Sequence, residues 1–462
     1  MPATSRNNPF DTLPTELISN IFLEATPNCE KYIAVDILDP RKVPRVLTHV
    51  CHQWRVVAIS TPRIWNEFCV RMDAPIEEDA FLATLAWAGN SPLRVALTAA
   101  LFRETRICSP QQLALFAQYC RRVSYLEVAL PSEMFSTLDA FARQRSLDVS
   151  NLIRLKVSYR HGLLARPIEM FAPLSTLRHV HLEGFSTSDI LFAKGNLRSF
   201  VGRQERTLGW KELLSSALQL EICTIQFRDD ELDENDANAL IADHSRLRYL
   251  NVSAYSPVGN GIIRGFVGPS LVSASLMVEV VESDSLSAFL QNCPALTSLD
   301  LDTRSIGREE ITRIFPLILR VTQIGLHRPS PQFICTFFEA FETDETFLPQ
   351  IKTLRFHDLN PLFLLHFLRS SGASITKRRA MCSSSHCSLV SLTAETEEYG
   401  QSMLASVLKE GLEGLRSSAA AAVLNALNDG RTSIRIMVHV SDRKEPIAVV
   451  HFNADFGQSW SR

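Results

Sequence analysis

From about residue 120 onward, apolar residues recur in short groups of the form L-x-x-L-x-L. The clearest are LIRLKV at Leu152, LRYLNV at Leu247, LTSLDL at Leu296 and IKTLRF at Ile351; YLEVAL, LRHVHL, LRSFV, LEICTI and VTQIGL are looser copies. Alternation inside each group predicts a strand with one apolar face. The central apolar positions are Leu126, Leu155, Val180, Phe200, Cys223, Leu250, Ala274, Leu299, Ile324 and Leu354, spaced by about 25 residues on average. Between the groups the period changes. Leu286, Phe289, Leu290 and Cys293 fall at i, i+3, i+4 and i+7, as do Ile311, Ile314, Phe315, Ile318 and Ile334, Phe337, Phe338, Phe341. Each set predicts a helix with one apolar face. The step from Leu286 to Ile311 equals the step from Leu296 to Val321, so helix and strand repeat in phase. The prediction is an α/β strand-and-helix solenoid whose units bury their apolar faces only against neighbours, with a parallel sheet on the concave side.

The unit resembles a leucine-rich repeat, in degenerate form. Regular members place an asparagine or cysteine after the strand to satisfy backbone groups in the turn; here the equivalent positions are Phe185, Tyr255 and Arg304. The resemblance therefore implies an irregular solenoid with loops of uneven length. A doubly wound α/β domain also alternates strand and helix, but the steady period and the lack of a Gly-rich phosphate loop disfavour it. Expected boundaries are 73–120 for a mainly helical linker or N-terminal cap, with LRVALTA as a candidate initial strand, and 121–369 for the solenoid. An exposed serine-rich and basic loop follows at 370–388, then a last repeat and C-terminal cap at 389–462. Helices are expected up to Gly430, and a β-hairpin around Asp442 to Glu445.

Residues 1–72 have a different pattern. Pro14 is expected in a first helical turn, and Glu16 places negative charge near the positive end of the dipole. Leu17, Ile21 and Phe22, widened by Ile18 and Ala25, form an apolar stripe that Pro27 ends. From Pro44 a second run places Val46, Val50, Trp54 and Val57 at intervals suited to one helix face. This apolar set is larger than a core so small can use, which points to a partner surface. The segment, LPTELISNIFLEATP followed by KVPRVLTHVCHQWRVVAISTPRIW, resembles the F-box of fungal proteins, with an insertion from Asn28 to Lys42. The resemblance rests on Leu13, Pro14, Glu16, Leu17, Ile21, Phe22, Val50, Cys51, Trp54, Arg55 and Trp65. It implies that these residues contact or shape a surface for a Skp-family adaptor, and through it a cullin-RING complex. The chain would then be the substrate receptor of an SCF-type ubiquitin ligase. A repeat scaffold that does not direct degradation is the alternative, and a cryptic Cys/His hydrolase a remote third.

Composition narrows the choice. With 46% hydrophobic and 21% charged residues, the 462-residue chain has ample material for a long core. The net charge of -3, from 47 basic and 50 acidic residues, gives no electrostatic reason to expect nucleic acid. The start lacks an apolar leader and no run is long enough to span a membrane, so an intracellular protein, cytoplasmic or nuclear, is expected. The ten cysteines are scattered, mostly inside apolar runs, and read as buried thiols. Cys382, His386 and Cys387 cluster without the further ligands that a metal site needs. No nucleophile elbow, P-loop or zinc-protease motif is present, and no cofactor or catalytic residue is assigned. Strand alternation instead sends Tyr125, Glu127, Arg154, Lys156, His179, His181, Glu183, Thr224, Gln226, Arg228, Tyr249, Asn251, Ser298, Asp300, Asp302, Gln323, His327, Arg355 and His357 outward. Within this face Arg154, Lys156, His179, His181, Arg228, Tyr249, Asn251, Asp300, Asp302, His327 and Arg355 are the candidates for holding a protein target.

Overall fold

The computed structural model describes residues 13–26, 43–73, 77–99, 108, 110–145, 147–158, 164–205, 207–227, 242–254, 258–278, 281–344, 346–359 and 374, and the backbone of 391–398, 433–440, 448–452 and 459–461. The chain divides into two compact units, 1–205 and 206–462.

The first unit opens with helices α1 (Thr15–Ala25), α2 (Arg45–Val50) and α3 (His52–Ile59). Pro14 is the N-cap of α1 rather than a member of its first turn, which holds Glu16. The second apolar run is not one helix. Cys51 is extended, with φ −158° and ψ 172°; it ends α2 and caps α3, its sulfur accepting the Trp54 backbone N–H at 3.4 Å. The interruption breaks the helical phase, so Val46 and Val50 are exposed while Val57 is buried, and the shared face expected for these residues and Trp54 does not form.

Parallel strands follow: β1 (Glu67–Arg71), β2 (Leu93–Thr98), β3 (Val123–Ala129), β4 (Arg154–Ser158), β6 (His179–Glu183) and β8 (Ser199–Glu205), paired in that order. Helices α4 (Glu78–Trp87), α5 (Pro110–Tyr119) and α6 (Ser132–Arg145) lie between them. The sheet thus begins at Glu67, inside the 1–72 segment, and 73–120 contributes a strand as well as helices. Both early strands are buried along most of their length, so they lack the polar alternation that marks later ones. Trp65 is fully buried, donates Nε1–H to Ala58 O at 2.7 Å, and packs 4.7 Å from the Trp87 ring. Arg45 donates to Ala80 O at 3.1 Å and Thr84 Oγ1 at 2.7 Å, with its guanidinium 5.3 Å above Trp87. These contacts join the N-terminal helices to the first strand-helix repeat.

The second unit carries β9 (Ile222–Phe227), β11 (Tyr249–Ala254), β13 (Ser273–Val278), β14 (Ser298–Asp302), β15 (Gln323–His327), β16 (Thr353–His357), β17 (Ser391–Glu398) and β18 (Ser433–Val440), again parallel and in chain order. Its helices are α7 (Thr207–Ser216), α8 (Val258–Gly265), α9 (Ser283–Asn292), α10 (Arg308–Ile314) and α11 (Pro331–Thr343). The central apolar positions of the repeats face one another. Leu126 pairs with Leu155, Leu155 with Val180 and Val180 with Phe200 in the first unit. In the second, Cys223, Leu250, Ala274, Leu299, Ile324 and Leu354 form the corresponding row, and all of these residues are buried. The predicted helix faces are buried too, except Leu290, which is half-buried. Each unit has the α/β strand-and-helix repeat fold of the leucine-rich-repeat kind, with its repeat strands parallel.

Its irregularity has local causes. Only 20 residues separate Val180 from Phe200, too few for a helical connection here, and the gap holds β7 (Ile190–Phe192), paired with β5 (Ile168–Phe171). In the second unit β10 (Ala242–Asp243) pairs with β12 (Phe266–Val267). The work of the missing turn asparagine is done by other groups. Thr303 donates both its N–H and its hydroxyl to His327 O, at 3.0 and 2.9 Å, and Glu205 accepts the Thr187 N–H at 3.0 Å. Phe185 is buried against Phe135 instead. At the C-terminal end two parallel strands, not one last repeat, precede the cap: β19 (Ala448–Phe452) runs antiparallel to β18, and β20 (Ser459–Ser461) antiparallel to β19. The expected turn between β18 and β19 and the helices before Gly430 lie outside the described residues, as does 370–388 apart from Ser374. That serine is not on an exposed loop; it is buried and donates to the Glu342 carboxylate at 3.2 Å. Among the described residues no helix is long and apolar enough to cross a membrane.

Candidate docking surfaces

The residues singled out at the N-terminus fall into two groups. Phe22 and Trp65 are core, and Trp54 is half-buried with its ring 5.0 Å from Phe22. Arg55 is exposed, yet its Nε holds Thr48 O at 2.8 Å near the end of α2. Leu13 is half-buried; Pro14, Glu16, Leu17, Ile21, Val50 and Cys51 are exposed. Leu17 and Ile21 stand one turn apart on α1, at 49% and 44% exposure, and Val46 and Val50 one turn apart on α2, at 41% and 54%. Val56 on α3 is 52% exposed and did not appear among the sequence candidates. The signal for it was the break at Cys51, where a small polarisable side chain caps a helix and resets its phase. Ile18, Phe22, Leu47, Val57 and Ala58 are buried, whereas about half of the surface of Leu17, Ile21, Val46, Val50 and Val56 remains in water.

The second surface is the outward sheet face. In the first unit Lys156 Nζ donates to Glu127 Oε1 at 2.8 Å, and the Tyr125 hydroxyl reaches Glu127 Oε2 at 3.4 Å. Arg203 Nη1 donates to Glu183 Oε1 at 2.8 Å, and Ser158 Oγ to Glu183 Oε2 at 3.4 Å. Arg94 pairs with Glu67 at 3.1 Å and lies 5.0 Å over Tyr125. Arg154 is exposed and His179 and His181 half-buried; His181 sits between Lys156 and Val201 in the register. Its Nε2 is shielded from solvent and lacks a hydrogen-bond partner among the described residues. Burial, and then the Lys156 ammonium, hold this imidazole below the ordinary histidine range.

In the second unit the face is built mostly from small polar groups. Thr224, Asn251, Ser275 and Asp300 stand in one register row, followed by Gly325 and the exposed Arg355. The Asp300 carboxylate occupies the space a side chain at Gly325 would need. Tyr249 is exposed. His327 and His357 stack at 4.3 Å, and the His327 ring, with Nδ1 3.9 Å from the Asp358 carboxylate, holds that carboxyl below its usual range. One nominated residue does not belong to this surface. Asp302 is fully buried, accepts from Arg304 Nε at 3.2 Å and pairs with Arg328, so it anchors the turn and is closed to a target. It terminates its strand, where alternation no longer decides orientation. Arg228 lies outside the described residues.

Chemistry is sparse elsewhere. Cys69, Cys108, Cys120, Cys223 and Cys293 are buried cysteines, whereas Cys51 and Cys335 are exposed. Burial pushes the thiol of Cys108 up to about 11 and that of Cys293 up to about 12, which keeps both protonated and poorly nucleophilic near neutral pH. A cavity of about 20 Å³ under α4 and α5 is lined mainly by apolar residues such as Phe68, Phe81 and Leu115, with room for about one water. Among the described residues no group of three or more histidine, cysteine or acidic side chains is placed to hold a metal ion.

No protein-family model matches the chain. No curated protein matches it either. Among solved structures it is similar to the Rad7–Elc1 complex of yeast, at 13% identity and a TM-score of 0.33 over 74% of this chain and 88% of that one. It is similar to the leucine-rich-repeat protein LegL7 of Legionella pneumophila, at 14% identity and a TM-score of 0.34 over 64% and 85%. A TLR13–ssRNA13 complex aligns at 14% identity and a TM-score of 0.30, over 66% of this chain and 46% of that chain.

Proposed function

We propose that this chain is the substrate-recognition subunit of an SCF-type ubiquitin ligase, its N-terminal helices taking a Skp-family adaptor and its outward sheet face taking a protein target. The observation that carries the reading is the set of large apolar side chains that α1, α2 and α3 leave in water, Leu17, Ile21, Val46, Val50 and Val56. Covering such a side chain is worth up to about 1.5–3 kcal/mol, so a handful of them suffices to drive association. The F-box resemblance supplies the identity of the partner. In this reading the chain performs no bond chemistry; it supplies proximity between the target and a conjugating enzyme held elsewhere in the complex.

The test is co-elution of the purified chain with a Skp-family adaptor. Wild type is expected to co-elute, and Leu17→Glu with Val56→Glu to abolish it while leaving the far-ultraviolet circular dichroism spectrum unchanged, because both positions face water. A folded wild-type chain that does not co-elute sinks the reading. Co-elution without transfer of ubiquitin to any captured target would favour the scaffold alternative.

A further inference from the structure

The outward face of the second unit differs from that of the first in what its polar groups already hold. In the first unit Glu127 takes Lys156 and Tyr125, and Glu183 takes Arg203 and Ser158. On β9, β11 and β13 the outward positions form three register rows, which start at Ile222, Thr224 and Gln226, cross β11 and end on β13. None of these positions carries a charge. Their hydroxyls and the amides of Gln226 and Asn251 make no side-chain hydrogen bond to a described residue. Ile222 and Tyr249 stand side by side in the first row, 42% and 50% exposed, and a half-buried Met277 ends the last. Charge enters only at the border, where Asp300 continues the middle row on β14 and Glu221 and Arg248 precede the first row. An occupant of this face therefore has to cover apolar surface and bring both donors and acceptors, while a charge on it would lose water without gaining a counter-ion. The rows reach about 13 Å along the strands and about 10 Å across them, room for one extended segment of about four residues.

We infer that the outward face of β9, β11 and β13 binds a short, uncharged, extended peptide segment of the target, its apolar side chains covering Ile222 and Tyr249 and its main-chain amides meeting Thr224, Asn251 and Gln226. The inference rests on the reading that the sheet face receives a protein. A peptide unit offers one donor and one acceptor, which the side-chain amide of an asparagine or glutamine complements. Tyrosine supplies rigid, amphipathic contact area and serine and asparagine supply adaptable hydrogen bonds, the same division of labour as in antibody paratopes. A carbohydrate is disfavoured because the branched Ile222 beside Tyr249 interrupts a flat aromatic platform. Nucleic acid is disfavoured because the rows hold no cation for a phosphate.

The experiment selects a randomised displayed peptide library on the full chain and measures the recovered peptides, remade with a dye, by fluorescence anisotropy. Recovered sequences are expected to be depleted in Lys, Arg, Asp and Glu against the starting library, and to bind with little dependence on salt. Ile222→Thr with Tyr249→Thr should weaken them about tenfold. Leu317→Thr with Leu319→Thr, which removes exposed apolar surface elsewhere in the same unit, should leave their binding unchanged. Enrichment of charged peptides, a steep loss of affinity with salt, recovery of no peptide, or equal binding by the sheet-face variant overturns the proposal. So does binding of maltohexaose or oligothymidylate that the same variant loses. Circular dichroism and adaptor co-elution are measured on the same preparations. A chain that selects uncharged peptides yet ignores the adaptor overturns the receptor reading alone, and one that takes the adaptor but recovers no such peptide overturns this inference alone.

Discussion

His181 shows how one side chain can be placed correctly by pattern and still be misjudged in kind. Alternation puts it on the outward face, where a histidine reads as a solvated polar group. The neighbouring side chains instead shield its Nε2 from water, and the folded state disfavours its proton. The contribution of such a group to stability is complete above its unfolded value of about 6.5 and is lost as pH falls through the lower folded value. Wild type is therefore expected to lose more of its urea midpoint than His181→Gln between about pH 7.5 and about pH 5.5. Equal losses would show that the imidazole is not held neutral by the fold. Asp302 marks the opposite limit: its neighbours in sequence gave no hint that two arginines, Arg304 and Arg328, converge on it. Arg328 has positive φ, a backbone turn that propensity does not announce, and that turn brings its guanidinium to the carboxylate.

The helix Ser283–Asn292 states what periodicity can and cannot rank. Its apolar set was legible, and Leu286, Phe289 and Cys293 are buried, yet Leu290 in the same set is only half-buried. Leu286→Ala should cost about 2–5 kcal/mol, typical of a cavity left in a closed core, and Leu290→Ala clearly less. Urea denaturation of the two variants decides it, and equal costs would mean that the helix face is buried uniformly. The row from Cys223 to Leu354 was readable because one apolar residue per repeat must meet its counterpart, and a slip by one residue would turn the whole strand inside out. The strands Glu67–Arg71 and Leu93–Thr98 were harder to read because burial on both faces erases alternation. The break at Cys51 was missed because a cysteine is a rare helix cap, and with it went the correct apolar face of the second helical block.

At the level of the first unit, the N-terminal helices are not a detachable module. Arg45, Trp65 and Trp87 join them to the first repeat, and β1 lies within the segment that resembles the docking domain. Deleting residues 1–72 removes Trp65 and bares the edge of β2, a template for pairing with another chain. The truncated protein is expected to self-associate in sedimentation velocity, and a monodisperse truncation would refute the joint described here. This is why surface substitutions such as Leu17→Glu are the better probe of docking. The hairpin at the other end has an evolutionary consequence. Parallel repeats multiply by tandem duplication, since a copied unit meets neighbours that run in its own direction. The reversal at β19 interrupts that route: a repeat of about 25 residues duplicated before Ser433 would find matching neighbours, while one placed directly against β19 would meet a strand of opposite sense. Insertion of a whole repeat is thus tolerated in register before the hairpin and not between its two strands.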